Sequence, residues 1–96
     1  MPQTPTGALQ SAHINSLTTT VVKSGPGYLH SITVNSKGAT GNTATVYDNT
    51  AGSGSVLAVI DVTANLVTLL YDIQFLTGLT LVTASGTAAD LTVSYS

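Results

Sequence analysis

The chain has 96 residues, of which 6% are charged, where about a quarter is usual. Its formal net charge is -2, and its only cations are Lys23 and Lys37, which excludes nucleic acid as a partner because a phosphate backbone needs several Lys or Arg contacts. Cysteine is absent, so no disulfide supports the core, and no apolar run approaches the roughly 20 residues that span a bilayer.

Residues 1–14 hold two of the three prolines and no apolar periodicity, and they read as an N-terminal arm. The arm carries Leu9 and Ile14, which could order by docking on a neighbour. Its first residues, MPQTP, have neither a positive n-region nor an apolar h-region, so no signal peptide is expected and synthesis is expected in the cytoplasm. Residues 15–96 read as one β-domain.

Residues 17–23 (LTTTVVK) are β-branched and end at the turn signal Ser24-Gly25-Pro26-Gly27. Residues 28–35 (YLHSITVN) predict a strand with Tyr28, His30, Ile32 and Val34 on one face. After a Gly-containing loop, residues 43–48 (TATVYD) alternate Ala44 and Val46 against Thr45 and Tyr47. This pair of strands predicts a hairpin with a long loop. Residues 56–62 (VLAVIDV) are apolar on both faces, as in a central strand. Residues 63–65 turn the chain. Residues 66–71 and 73–76, with Asp72 between them, fit either one bent strand or a strand and a loop. Helical character is densest over 62–71, but Thr and Val there favour a strand. Residues 79–83 and 90–95 (DLTVSY) flank the loop 84–89, and the last strand turns Leu91, Val93 and Tyr95 inward. Seven to eight short strands at this spacing predict an all-β, antiparallel fold, a β-sandwich or jelly roll. Its predicted core is Ile32, Val34, Val46, Val59, Phe75, Leu91 and Val93.

Chemistry-bearing residues are few. No nucleophile elbow surrounds any serine. The four acids, Asp48, Asp61, Asp72 and Asp90, fall at predicted strand ends or turns, without the spacing of a calcium loop. His13 and His30 are too few for a zinc cluster. His30 reads as a hydrogen-bonded, partly buried strand residue. No cofactor, metal site or catalytic residue is therefore expected, and the chain is not read as an enzyme. Tyr47 is the aromatic best placed to face outward. The surface instead draws its polarity from 17 Thr and 10 Ser, neutral groups that cost less to desolvate than ions.

The segments GYLHSITVN (27–35), ATVYDNTAGSG (44–54), DIQFLTGLTLVT (72–83) and ADLTVSY (89–95) resemble the small all-β virion proteins of tailed bacteriophages, the capsid decoration (cement) and head-fibre types. The resemblance spans residues 17–95 and rests on strand patterns and the strand–YDNTAGSG–strand hairpin. It implies a jelly-roll-like sandwich, often a homotrimer, on the capsid exterior of a virion, where it binds the major capsid protein and copies of itself across subunits. It carries over no catalytic residues. Leu9, Ile14 and Tyr47 are the expected interface residues. The alternative is a receptor- or glycan-binding module of a tail or head fibre.

Overall fold

A computed structural model of the chain describes residues 9–38, 42–62, 67–83 and 87–96. The turn expected at 63–65 and most of the expected arm lie outside the described residues, as does part of the loop expected at 84–89. The strands are β1 (Gln10–Ile14), β2 (Thr19–Ser24), β3 (Gly27–Ser36), β4 (Thr43–Asp48), β5 (Ser55–Asp61), β6 (Val67–Phe75), β7 (Gly78–Thr83) and β8 (Asp90–Tyr95). They form two four-stranded sheets of order β1-β8-β3-β6 and β2-β7-β4-β5.

That order is a jelly roll. The first strand pairs with the last, the second with the seventh, the third with the sixth and the fourth with the fifth, all antiparallel. Successive pairs alternate between the sheets, and the β3–β8 and β4–β7 ladders join them. The chain is thus one long hairpin rolled up on itself, so nearly all its pairings are non-local, a topology that folds slowly. The expected sandwich is therefore present, with eight strands.

Register explains the core. Across the first sheet, Ile14, Leu91, Val34 and Val67 face one another in a row, and Ala12, Val93, Ile32 and Leu69 form the next. Across the second sheet, Thr20, Leu81, Val46 and Ala58 align. These rows point inward, because side chains alternate with period two, and most of their members are buried. Phe75 and Leu79, on either side of the β6–β7 turn, complete the core with no exposed surface. The molecule is 18 Å across its shortest dimension, so a single layer of side chains holds the sheets together.

Four sequence expectations are corrected. The strands over 28–35 and 43–48 do not form a hairpin: β3 lies in one sheet and β4 in the other, and the connection crosses between them. Residues 56–62 do not make a central strand, because β5 is an edge, and Val59 faces outward with 63% of its surface exposed. An apolar residue on both faces of a strand therefore signalled an uncovered edge here, not double burial. Tyr28 and His30 do not share the face of Ile32. The register shifts between Leu29 and Ser31, so Leu29 and Ile32 both point inward and His30 is re-aimed, as a bulge does. Finally, Asp72 is not at a turn or strand end. It sits inside β6 with φ of 50°, a left-handed conformation that Asp tolerates better than most residues. Residues 67–75 are thus one bent strand. The remaining predicted core residues, Ile32, Val34, Val46, Phe75, Leu91 and Val93, are buried.

At the start of the domain, Gln10–Ile14 is a sheet strand, paired along its length with β8. Ile14 is 3% exposed and belongs to the sandwich's own core.

Candidate interaction surfaces

The outer face of the β1-β8-β3-β6 sheet is set by the rows between the apolar ones. His13, Thr92, Thr33 and Thr68 are cross-strand neighbours, and so are Ser11, Ser94, Ser31 and Leu70. Thr33 and Thr68 share a hydrogen bond of 3.1 Å between their hydroxyls. Apart from His13 and the exposed Leu70, these rows are built of small, uncharged hydroxyl residues.

Two His–Asp pairs frame this face. His13 Nε2 donates to Asp90 Oδ1 at 2.6 Å, linking β1 to β8. The Asn35 amide donates to the same carboxylate oxygen at 3.0 Å and to Thr92 Oγ1 at 2.9 Å, extending the link to β3. These hydrogen bonds, Asn35 first and His13 second, hold the Asp90 carboxyl below its usual range. On the far side, His30 Nδ1 donates to Asp72 Oδ1 at 2.6 Å. Here the two bulged segments meet, which is why residues so distant in sequence touch. Desolvation, then the neighbouring Asp72 charge, raise the Tyr28 hydroxyl above its ordinary value. Tyr28, His30 and Asp72 thus form an outward cluster that strand patterning missed, since its geometry depends on the bulge.

The outer face of the second sheet is apolar. Thr19, Val82, Thr45 and Val59 form one row, and Val21, Thr80, Tyr47 and Val56 the next. Its middle is roofed by the loop between β4 and β5. A Cβ on Gly52 would lie 2.8 Å from Val82 Cγ2 and 3.4 Å from Thr19 Cγ2, so the loop backbone rests directly on this face and only glycine allows it. Thr80, fully buried although outward in register, donates to the Asn49 carbonyl at 2.7 Å. Asn49 donates to the Ser53 carbonyl at 2.7 Å and closes the loop on itself. What remains open is the rim: Val21 on β2, and Val56 and Val59 on β5.

The expected interface residues fall differently. Leu9 is exposed, Ile14 lies in the core, and Tyr47 is half-buried in the outer row beside Val56. Tyr28, at 39%, is the more exposed tyrosine.

Asp48 does not serve either face. Its carboxylate accepts the backbone N–H groups of Leu76 at 3.0 Å, Thr77 at 2.8 Å and Gly78 at 3.3 Å. These bonds, led by Leu76, lower its pKa. The residue thus staples the end of β4 to the β6–β7 turn. Asp48→Asn is expected to destabilise the domain by about 1 kcal/mol, near the low end for hydrogen bonds to a charged group because water reaches the carboxylate. Chemical denaturation measures it.

The sign of the acid response follows from the same geometry. Asp48 and Asp90 both have folded-state values below the ordinary 3.8. A carboxyl depressed on folding stabilises the fold above its unfolded value, and that contribution is lost as pH falls through the folded value. Thermal melts are therefore expected to show a Tm that is flat above about pH 5 with respect to these two groups. It should fall progressively below about pH 4, and less steeply in an Asp48→Asn, Asp90→Asn double variant.

Among the described residues, no three His, Cys, Asp or Glu side chains lie together as a metal centre would require. The chain matches no protein-family model, no curated protein and no solved structure. A jelly roll hosts many unrelated functions, so the surfaces carry the functional argument.

Proposed function

We propose that the chain is a structural virion protein, a capsid decoration protein that binds the outer capsid surface across subunits and stabilises it. The observation that supports this reading is the scarcity of charge on both sheet faces: mostly Ser and Thr on one, with Leu70 and two His–Asp pairs toward its margins, and Val, Thr and Tyr on the other. Such surface is desolvated at lower cost than an ionic one. With a net charge of -2, little repulsion keeps copies apart. The sequence resemblance to phage virion proteins points the same way. The partners in this reading are the major capsid protein and further copies of this chain, in the manner of the trimers that the resemblance implies.

The test is add-back. Capsids stripped of the protein should release their DNA at a lower temperature than capsids re-coated with it, and re-coating should depend only weakly on salt because few ion pairs are available. Identical release temperatures would remove the reading.

Tyr28 favours a second reading, a receptor- or glycan-binding module. An exposed aromatic ring beside a His–Asp pair offers a sugar both an apolar platform and polar partners. A Tyr28→Ala variant that adheres to host cells as well as the unaltered protein would dismiss it.

A further inference from the structure

Two irregularities that the register places side by side cut across the first sheet. Against β8, β3 carries one extra residue, His30, between the pairs Leu29–Tyr95 and Ser31–Ser94. Against β3, β6 sets two residues, Tyr71 and Asp72, opposite that one. Bulges re-aim side chains and recur beside functional sites. Asp72 is the one non-glycine residue among those described with a positive φ. Aspartate tolerates that conformation, but glycine adopts it freely, so the backbone alone does not call for a carboxylate here. Strain of this kind concentrates where a side chain has work to do. The Asp72 carboxylate faces outward, half exposed, and accepts His30 Nδ1 at 2.6 Å. Tyr28 lies near enough for its hydroxyl to feel the Asp72 charge. Gln74, the cross-strand partner of Tyr28, is exposed beside it.

Building on the glycan-binding reading of Tyr28, we propose that Tyr28, His30 and Asp72 bind an uncharged pyranose sugar and that Asp72 excludes acidic ones. The Tyr28 ring is the platform on which the C–H face of a pyranose packs. An ionised carboxylate only accepts hydrogen bonds, so its ligand must donate. Sugar hydroxyls donate, whereas ionised sulfate, phosphate and carboxylate groups bring acceptors and like charge. Neither cation of the chain answers that charge. Lys23 Nζ lies beside Gly27 on the inward, Phe75 side of β3. Lys37 follows the far end of β3, roughly 20 Å from His30 at about 3.3 Å per residue. The His30–Asp72 pair carries no net positive charge while Asp72 is ionised. A cationic side chain would donate too, but it would compete with His30 for a carboxylate already engaged. A hydroxyl needs only the lone pairs that His30 leaves. Gln74 both donates and accepts next to the ring.

Heteronuclear NMR titration of the unaltered chain is the test. Methyl β-glucoside, methyl β-galactoside and methyl α-mannoside are the neutral probes, and methyl β-glucuronide is the acidic one. At least one neutral probe should shift the amide signals of Tyr28, His30 and Asp72 to saturation, and the glucuronide should not. Asp72→Gly should keep the β-sheet circular dichroism and weaken sugar binding by about tenfold or more, the loss expected for a hydrogen bond to a charged group. Asp72→Asn, which removes the charge and keeps the shape, should admit the glucuronide. Silence with every neutral probe, equal shifts with the glucuronide, or an Asp72→Gly variant that binds as well as the unaltered chain overturns the proposal. So does methylguanidinium shifting the same signals at lower concentration than any sugar, which would assign the cluster to a cationic side chain. Host-cell adhesion separates this site from the reading it rests on. Adhesion lost in Tyr28→Ala without any sugar binding leaves a receptor surface and sinks the sugar. Sugar binding with adhesion unchanged in Tyr28→Ala keeps the sugar site and dismisses its role in attachment.

Discussion

Replacing Phe75 with alanine is expected to destabilise the domain by about 3–5 kcal/mol, the usual cost of emptying a buried aromatic site. Phe75 is the largest side chain with no exposed surface. It closes the end of the core where β6 turns into β7, and its partner in register is Gly27. With one layer of side chains between the sheets, nothing else can move in to fill the space. A domain of this size has about 5–15 kcal/mol in total, so the variant should melt far below the unaltered protein or fail to fold. Urea titration measures the loss.

Gly27→Ala is the second large effect, expected at about 1–3 kcal/mol, the range for forcing extra volume into a packed site. A Cβ there would clash with the backbone carbonyl oxygen of Ser96 and stand 2.6 Å from Phe75 Cζ. The Ser96 carbonyl cannot retreat freely, since it accepts the Tyr28 N–H at 2.9 Å while Ser96 N–H donates to the Tyr28 carbonyl at 2.8 Å. Adjacent residues of one packed cluster couple. Shortening the ring by Phe75→Leu should therefore offset part of the Gly27→Ala cost, so that the double variant is less destabilised than the two single losses added together. Additive losses would show that the ring is not what the methyl group meets.

Much of the sandwich was legible in the sequence because alternation survives wherever strands are regular. β8 shows this most plainly, with Leu91 and Val93 inward as its pattern predicts. The hairpin of β4 and β5 was legible too, since its turn residues lie between strands that do pair. The phase of β3 was not, because one bulge at His30 moves Leu29 from the expected outer face into the core. Nor was the partner of β3, which is chosen by contacts with β6 and β8 far along the chain. Val59 misled for a related reason: whether an apolar strand is central or marginal depends on sheet order, which local sequence does not encode.

The surfaces were less legible than the fold. The low charge and the abundance of hydroxyls are plain in the composition, but their arrangement into cross-strand rows requires the register. His13 with Asp90 and His30 with Asp72 are brought together only by strand pairing, and nothing in their spacing announces them. Tyr47 faces outward as its alternation with Val46 suggests, yet lies half-buried beside Val56, while Tyr28 emerges as the exposed ring.

Both proposed readings have a low-charge β-scaffold work through its surface, by binding. Quantitative mass spectrometry of purified phage particles from an infection in which this chain is expressed tests that most directly. The account predicts the chain in fixed proportion to the major capsid protein, retained through a high-salt wash. Its recovery only in the soluble lysate, with none in the particles, would contradict it.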